Sequence, residues 1–201
     1  MQLCNWVLAA LFTALTAVGC LTKIPTPISS FSPLFFFTAL SALLLGPKFG
    51  ALSQGMYVAL GLLGLPIFTT GGGIGSIFTT TFGFLLGLIP AAAVIGLLVK
   101  RWGTSFQALC AASTAGLLVL YAVGLPYMHL ILTVYLEKTW TIRQTIVGGM
   151  VLFLPWDAVK IVAAAGLARR VLPVMGLYEN RDKPSAKAMN KANSPKNTNT
   201  M

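Results

Sequence analysis

The sequence predicts an all-α integral membrane protein: six transmembrane helices with a Gly/Thr-rich outward loop over a ligand site. Three observations carry that expectation. Of 201 residues, 56% are hydrophobic and only 9% charged, with a mean hydropathy of +0.82, whereas soluble domains carry about 25% charged residues. The apolar residues gather into runs over 6–21, 33–45, 49–65, 82–99, 106–125 and 145–172, and about 20 residues of helix cross a bilayer. Finally, the cations sort by side. With six crossings, Lys48, Lys100, Arg101, Arg169, Arg170, Arg181, Lys183, Lys187, Lys191 and Lys196 share one side, and only Lys23, Lys138 and Arg143 lie on the other. The positive-inside bias makes the first side cytoplasmic, with both termini on it. Five crossings would scatter the same charges evenly.

One apolar body implies one membrane domain, residues 1–175, followed by a basic cytoplasmic tail, 176–201. The tail is rich in Asn, Lys, Ser and Pro without apolar periodicity and is expected to be disordered. The net charge of +10 does not indicate nucleic acid, because the cations occupy short loops and the tail rather than one helix face interleaved with aromatics. Cys4, Cys20 and Cys110 lie in apolar runs without CxxC spacing. They predict neither a disulfide framework nor a metal site, and no cofactor is expected.

In chain order, the first helix lacks a cationic segment ahead of it, so it is expected to be retained rather than cleaved. Its Ala10 and Ala14 form a small-xxx-small pair, which lets another helix approach closely in lipid. Residues 21–33 hold Pro25, Pro27 and Pro33 and are expected to be extended. Gly46-Pro47-Lys48-Phe49-Gly50 predicts a tight turn between the second and third helices. In the third helix Gln54 and Tyr57 share a face; helix-to-helix glue and ligand contact are both open to them.

The loop at 64–87, GLPIFTTGGGIGSIFTTTFGFLLG, organises the chain. So many glycines cannot form a helix and offer no side chains to a core, which leaves backbone amides and threonine hydroxyls available to a ligand. Irregular backbone at membrane depth persists only where protein covers it or it lines a cavity. A lid over a binding site is therefore expected, against the competing reading of a flexible linker. Beyond it, Pro90 is expected to kink the fourth helix. Gly-Leu-Pro at 64–66 and again at 124–126 suggests a repeated way of ending a helix on the outer side.

Ionisable chemistry concentrates at Phe153-Leu154-Pro155-Trp156-Asp157-Ala158-Val159-Lys160. Counted back from Arg169, Lys160 lies about 13 Å and Asp157 about 18 Å into the membrane at 1.5 Å per residue. Their i, i+3 spacing puts both on one face. Charges so deep are costly unless paired or facing a hydrated cavity, and by default they mark a functional site. A structural ion pair is the competing reading.

Four elements in register carry a resemblance: the 46–50 turn, the Gly-rich stretch 61–75, Thr81-Phe82-Gly83-Phe84-Leu85-Leu86-Gly87, and residues 153–160. Together they resemble the BioY family, the biotin-specific S components of energy-coupling-factor (ECF) transporters, over residues 10–170. The resemblance implies a cell-membrane protein that captures biotin from outside and works with a transmembrane coupling subunit and two ATPase subunits. It implies that Ala10 and Ala14 contact the coupling subunit, that Asp157 and Lys160 belong to the biotin site, and that the central loop closes over it. Two positions depart from the family's usual pattern. Thr79-Thr80 stands where a proline is common, and Trp156 where Pro-x-Asp is often Pro-Gly-Asp.

Biotin offers ureido N–H donors, a carbonyl and a carboxylate. Asp157 suits the N–H groups. Lys160, the amides of Gly72 and Gly73, and the hydroxyls of Thr79 and Thr81 suit an oxygen. Tyr57, Phe68, Phe84 and Trp156 are aromatic candidates for the apolar middle, with core packing as the alternative for each. Another vitamin, a membrane scaffold and an intramembrane hydrolase are the competing functions. Ser76 and His129 lack a third orienting group, so no catalysis is expected, and the glycines lack the lysine-bearing ending of a phosphate loop.

Overall fold

A chain this apolar must satisfy its backbone hydrogen bonds internally, and it does so almost wholly in helices. The computed structural model describes residues 2–22, 24–25, 30–69, 71–135, 141–151 and 153–175. The expected tail and Lys138 lie outside the described residues. The helices are α1 (Gln2–Leu21), α2 (Leu34–Leu62), α3 (Phe82–Trp102), α4 (Phe106–Leu130), the short α5 (Ile142–Ile146) and α6 (Leu154–Met175). Between α1 and α2, strands β1 (Ile24–Pro25) and β2 (Ser30–Phe31) pair antiparallel, Ile24 opposite Phe31. A 3-10 turn, Ile74–Phe78, lies within the Gly/Thr loop.

Five stretches among the described residues are long and apolar enough to cross a membrane: Leu3–Leu21, Leu34–Leu62, Phe82–Trp102, Phe106–Tyr135 and Ile142–Pro173. The second is two arms folded together. Gly46 leaves helical geometry at φ 77°, ψ −173°, a left-handed φ that glycine tolerates and the following Pro47 cannot share. Thr38 Oγ1 then donates to Gln54 Oε1 at 3.1 Å across sixteen residues. A straight helix would hold them about 24 Å apart. The two arms overlap the expected helices 33–45 and 49–65, the second ending at Leu62, and the break at Gly46 falls in the expected 46–50 turn.

Close approach is bought with small residues. A Cβ on Gly50 would lie 2.8 Å from Ala42 Cα, one on Gly96 2.3 Å from Pro47 N, and one on Gly116 2.3 Å from Ile95 Cγ1. These contacts draw together the two arms of α2, then α3 and the hairpin turn, then α3 and α4. Helix α6 packs on α2 and α4 through Asp157, Lys160, Ile161, Ala164, Ala165, Ala168 and Leu172, all buried. Their spacing of three and four residues is one helical stripe.

Polar glue fixes α1 to the hairpin. Thr13 Oγ1 donates to Ser53 O at 2.9 Å, and Gln54 Nε2 donates to Ser41 Oγ at 3.2 Å and Thr16 Oγ1 at 3.4 Å. Gln54, buried and multiply bonded, belongs to this network. The opposite face of α1 exposes Leu3, Val7, Ala10, Leu11, Ala14, Val18 and Leu21.

Helix α3 is continuous through Pro90. Two expected features differ. Helix α4 overruns Gly124-Leu125-Pro126 and passes into a π-helical turn, Ile131–Tyr135, because Gly124 serves packing rather than termination: a Cβ there would lie 2.3 Å from Phe84 Cδ1. The single helix expected over 145–172 is α5, a π-helical turn at Val147–Val151 and α6. Pro155, in the first turn of α6, has no N–H to continue a preceding helix.

Candidate ligand-binding site

The Gly/Thr loop is tied down at several points. Gly73, at φ 97°, turns the chain so that its N–H donates to Gly61 O at 2.8 Å. Phe68 pairs with Gly71 in an isolated bridge and seats its ring on Gly61, where a Cβ would lie 2.0 Å from Phe68 Cζ. Tyr57 meets that ring edge-on at 5.5 Å and donates its hydroxyl to Ile67 O at 3.2 Å. On the other side, the Tyr127 hydroxyl donates to Ile77 O, and Phe78 stacks on Tyr135 at 5.1 Å.

Next to this loop is a cavity of about 320 Å³. Ser32, Thr69, Thr80 and Thr81 contribute hydroxyls; Leu34, Phe35, Phe84, Leu85, Leu88, Leu120, Met128 and Phe153 supply apolar wall. Gly148 and Gly149 reach the lining from the π-helical turn before α6, and Cys20 from α1. A site at such a turn is a recurrent functional placement, since the irregular backbone re-aims its neighbours.

Asp157, Lys160 and Tyr121 also line the wall. Asp157 is 4% and Lys160 9% exposed. Lys160 Nζ donates to Asp157 Oδ1 at 2.8 Å, and the Tyr121 hydroxyl of α4 donates to Asp157 Oδ2 at 2.5 Å. Tyr121 meets Phe84 of α3 edge-on at 6.3 Å. The buried carboxylate thus has an ammonium on one oxygen and a phenol on the other, and all three groups border a mostly apolar space. Such a wall can orient a compact ligand that has both donors and acceptors.

The sequence profile of the BioY family matches residues 1–176. A probable biotin transporter BioY of Lysinibacillus sphaericus is 38% identical over 169 residues, covering 84% of this chain and 86% of the relative. A biotin transporter BioY of Thermotoga maritima is 40% identical over 164 residues, covering 81% and 92%. The chain belongs to the BioY family. Its fold matches that of a solved structure, the S-component for biotin from an ECF-type ABC transporter, with a TM-score of 0.73 at 22% identity, covering 85% of this chain and 91% of the other.

Within this BioY-family fold the residues singled out by sequence divide. Asp157, Lys160, Thr81 and Phe84 line the cavity together. Tyr57 and Phe68 are buried in packing beneath the loop rather than in the cavity wall. Thr79 closes the 3-10 turn, its hydroxyl donating to Ser76 O at 2.6 Å, while its neighbour Thr80 reaches the wall. Gly72 sits against the carbonyl of Leu65, where a Cβ would lie 2.1 Å from the oxygen, and Gly73 is engaged with Gly61; neither lines the cavity. Trp156 is 43% exposed on the flank of α6, away from the lining. His129, set aside as a catalytic candidate, pairs its Nδ1 with Thr145 Oγ1 at 3.1 Å. Tyr121 is one of the wall residues that the sequence does not distinguish, because one tyrosine in an apolar helix reads equally as core or interface.

Proposed function

We propose that the chain is the substrate-capture subunit for biotin uptake, binding the vitamin in the cavity beneath the Gly/Thr loop. The observation that carries this is the Lys160–Asp157–Tyr121 row in a mostly apolar wall. Its acceptor carboxylate and flanking donors match the N–H and carbonyl groups of a ureido ring, and the apolar remainder matches a fused bicycle and aliphatic chain. Family membership supports the same ligand. The volume, about 320 Å³, lies at the small end of the roughly 300–1,000 Å³ usual for ligand sites, as suits a compact vitamin.

The chain is not itself an enzyme in this reading. It crosses the cell membrane six times, the arms of α2 counting as two crossings, with both termini cytoplasmic and the loop outward. An ECF coupling subunit and two ATPase subunits supply the energy, and the exposed face of α1 with Ala10 and Ala14 receives the coupling subunit. The loop amides and hydroxyls close over bound ligand. Residues 1–175 act as the membrane domain and 176–201 as a solvated tail.

The experiment is thermal unfolding of the purified chain in mild detergent with and without biotin. Ligand at a hundred times its Kd stabilises by about 2.7 kcal/mol, and Asp157→Asn is expected to abolish that gain. A gain from riboflavin or thiamine but not biotin would reassign the ligand. No gain from any vitamin would leave the ion pair a purely structural feature of α6.

A further inference from the structure

We propose that Tyr121 is a positioning residue for the ligand-binding carboxylate: its phenol fixes the orientation of Asp157 in which Lys160 and the ligand can both be served. The inference rests on the reading that the cavity binds biotin. Asp157 stands on the first turn of α6, two residues after Pro155 and shortly after the π-helical turn. Its side chain is held from both ends. Lys160, one turn on, takes Oδ1, and Tyr121, thirty-six residues away on α4, takes Oδ2. A carboxylate has about four lone-pair sites, so two engaged donors still leave acceptor capacity for a ligand N–H, provided the plane of the carboxylate is fixed.

Tyr121 is well placed to fix it. The residue is buried, and its ring lies edge-on against Phe84. Phe84 is itself confined by Gly124 of α4, whose Cβ position is 2.3 Å from the ring, and lies near Gly149, whose Cβ position is 3.8 Å away. The phenol is therefore supported by α3, α4 and the turn before α6. Lys160 shares α6 with Asp157, so their ion pair cannot set the carboxylate relative to the opposite wall. The Tyr121 bond does, because it crosses the cavity wall from another helix.

The test is equilibrium binding of radiolabelled biotin to the full chain in detergent. Tyr121→Phe and Tyr121→Met, which remove the donor, are each expected to weaken binding by about tenfold, as for loss of one hydrogen bond to a charged group. In an Asp157→Asn background Tyr121→Phe should change binding by less than about twofold, since there is no carboxylate left to orient. Should Asp157→Asn bind too weakly to measure, Lys160→Met replaces it. There Tyr121 is the remaining donor on Asp157 among the described contacts, so Tyr121→Phe should cost more than in the wild type. Equal losses in both backgrounds, unchanged affinity of Tyr121→Phe, or failure of both Tyr121 variants to fold would each overturn the proposal. Wild-type chain that binds no biotin would instead overturn the reading on which it rests.

Discussion

Replacing Lys160 with methionine separates the structural from the functional role of the buried ion pair. Methionine keeps an unbranched chain of similar length but leaves the Asp157 carboxylate, 4% exposed, without its ammonium. Breaking one side of a buried pair costs about 3–5 kcal/mol. The low end of that range is expected, because Tyr121 still donates to Oδ2. Adding Asp157→Asn should recover most of the loss: the charge is gone and the amide oxygen still accepts from Tyr121, which leaves a neutral amide NH2 bordering the cavity in place of a buried charge. The assay is thermal unfolding in detergent by tryptophan fluorescence, with and without biotin. Lys160→Met should gain less stability from the ligand than the wild type does and the double variant none, although the double variant should be nearly as stable as the wild type without ligand. Lys160→Met as stable as the wild type, or a double variant no better than the single, would refute the energetics. A double variant still stabilised by biotin would refute the site.

Three further outcomes follow from packing. Gly96→Ala should destabilise by about 1–3 kcal/mol, as overpacking does, because the new Cβ meets the backbone of Pro47 and Gly46; chemical denaturation in mixed micelles measures it. Gly124→Ala should weaken biotin binding more than it lowers the melting temperature, since it pushes the Phe84 ring that lines the cavity. Tyr127→Phe should release Ile77 O from its donor and raise amide exchange across Ile74–Phe78, with α2 protected as before.

Much of the helical architecture is legible because apolar length is a direct consequence of solvation. Gly46-Pro47 announced a reversal, and the structure turns there. Asp157 and Lys160 were legible for the same reason: an apolar helix has no cheap place for them. The overrun of Gly124-Leu125-Pro126 was not. In water, glycine followed by proline ends a helix, but in a packed membrane bundle the glycine admits the Phe84 ring and the helix continues. Tyr57, before the loop, and Phe68, within it, are ligand candidates in the sequence because an aromatic ring suits the apolar middle of the ligand. Which side of the loop an aromatic ring occupies depends on the Gly61 contact, and no local pattern encodes it. Tyr121 was hidden likewise, since its partner is thirty-six residues away on another helix.

The Gly/Thr loop is hitched to two helices at once, to Gly61 of α2 through Gly73 and to Tyr127 of α4 through Ile77. A span pinned at both ends reports the distance between them. Spreading the two helices strains one pin or the other, so the shape of the loop and the spacing of α2 and α4 are mechanically the same coordinate.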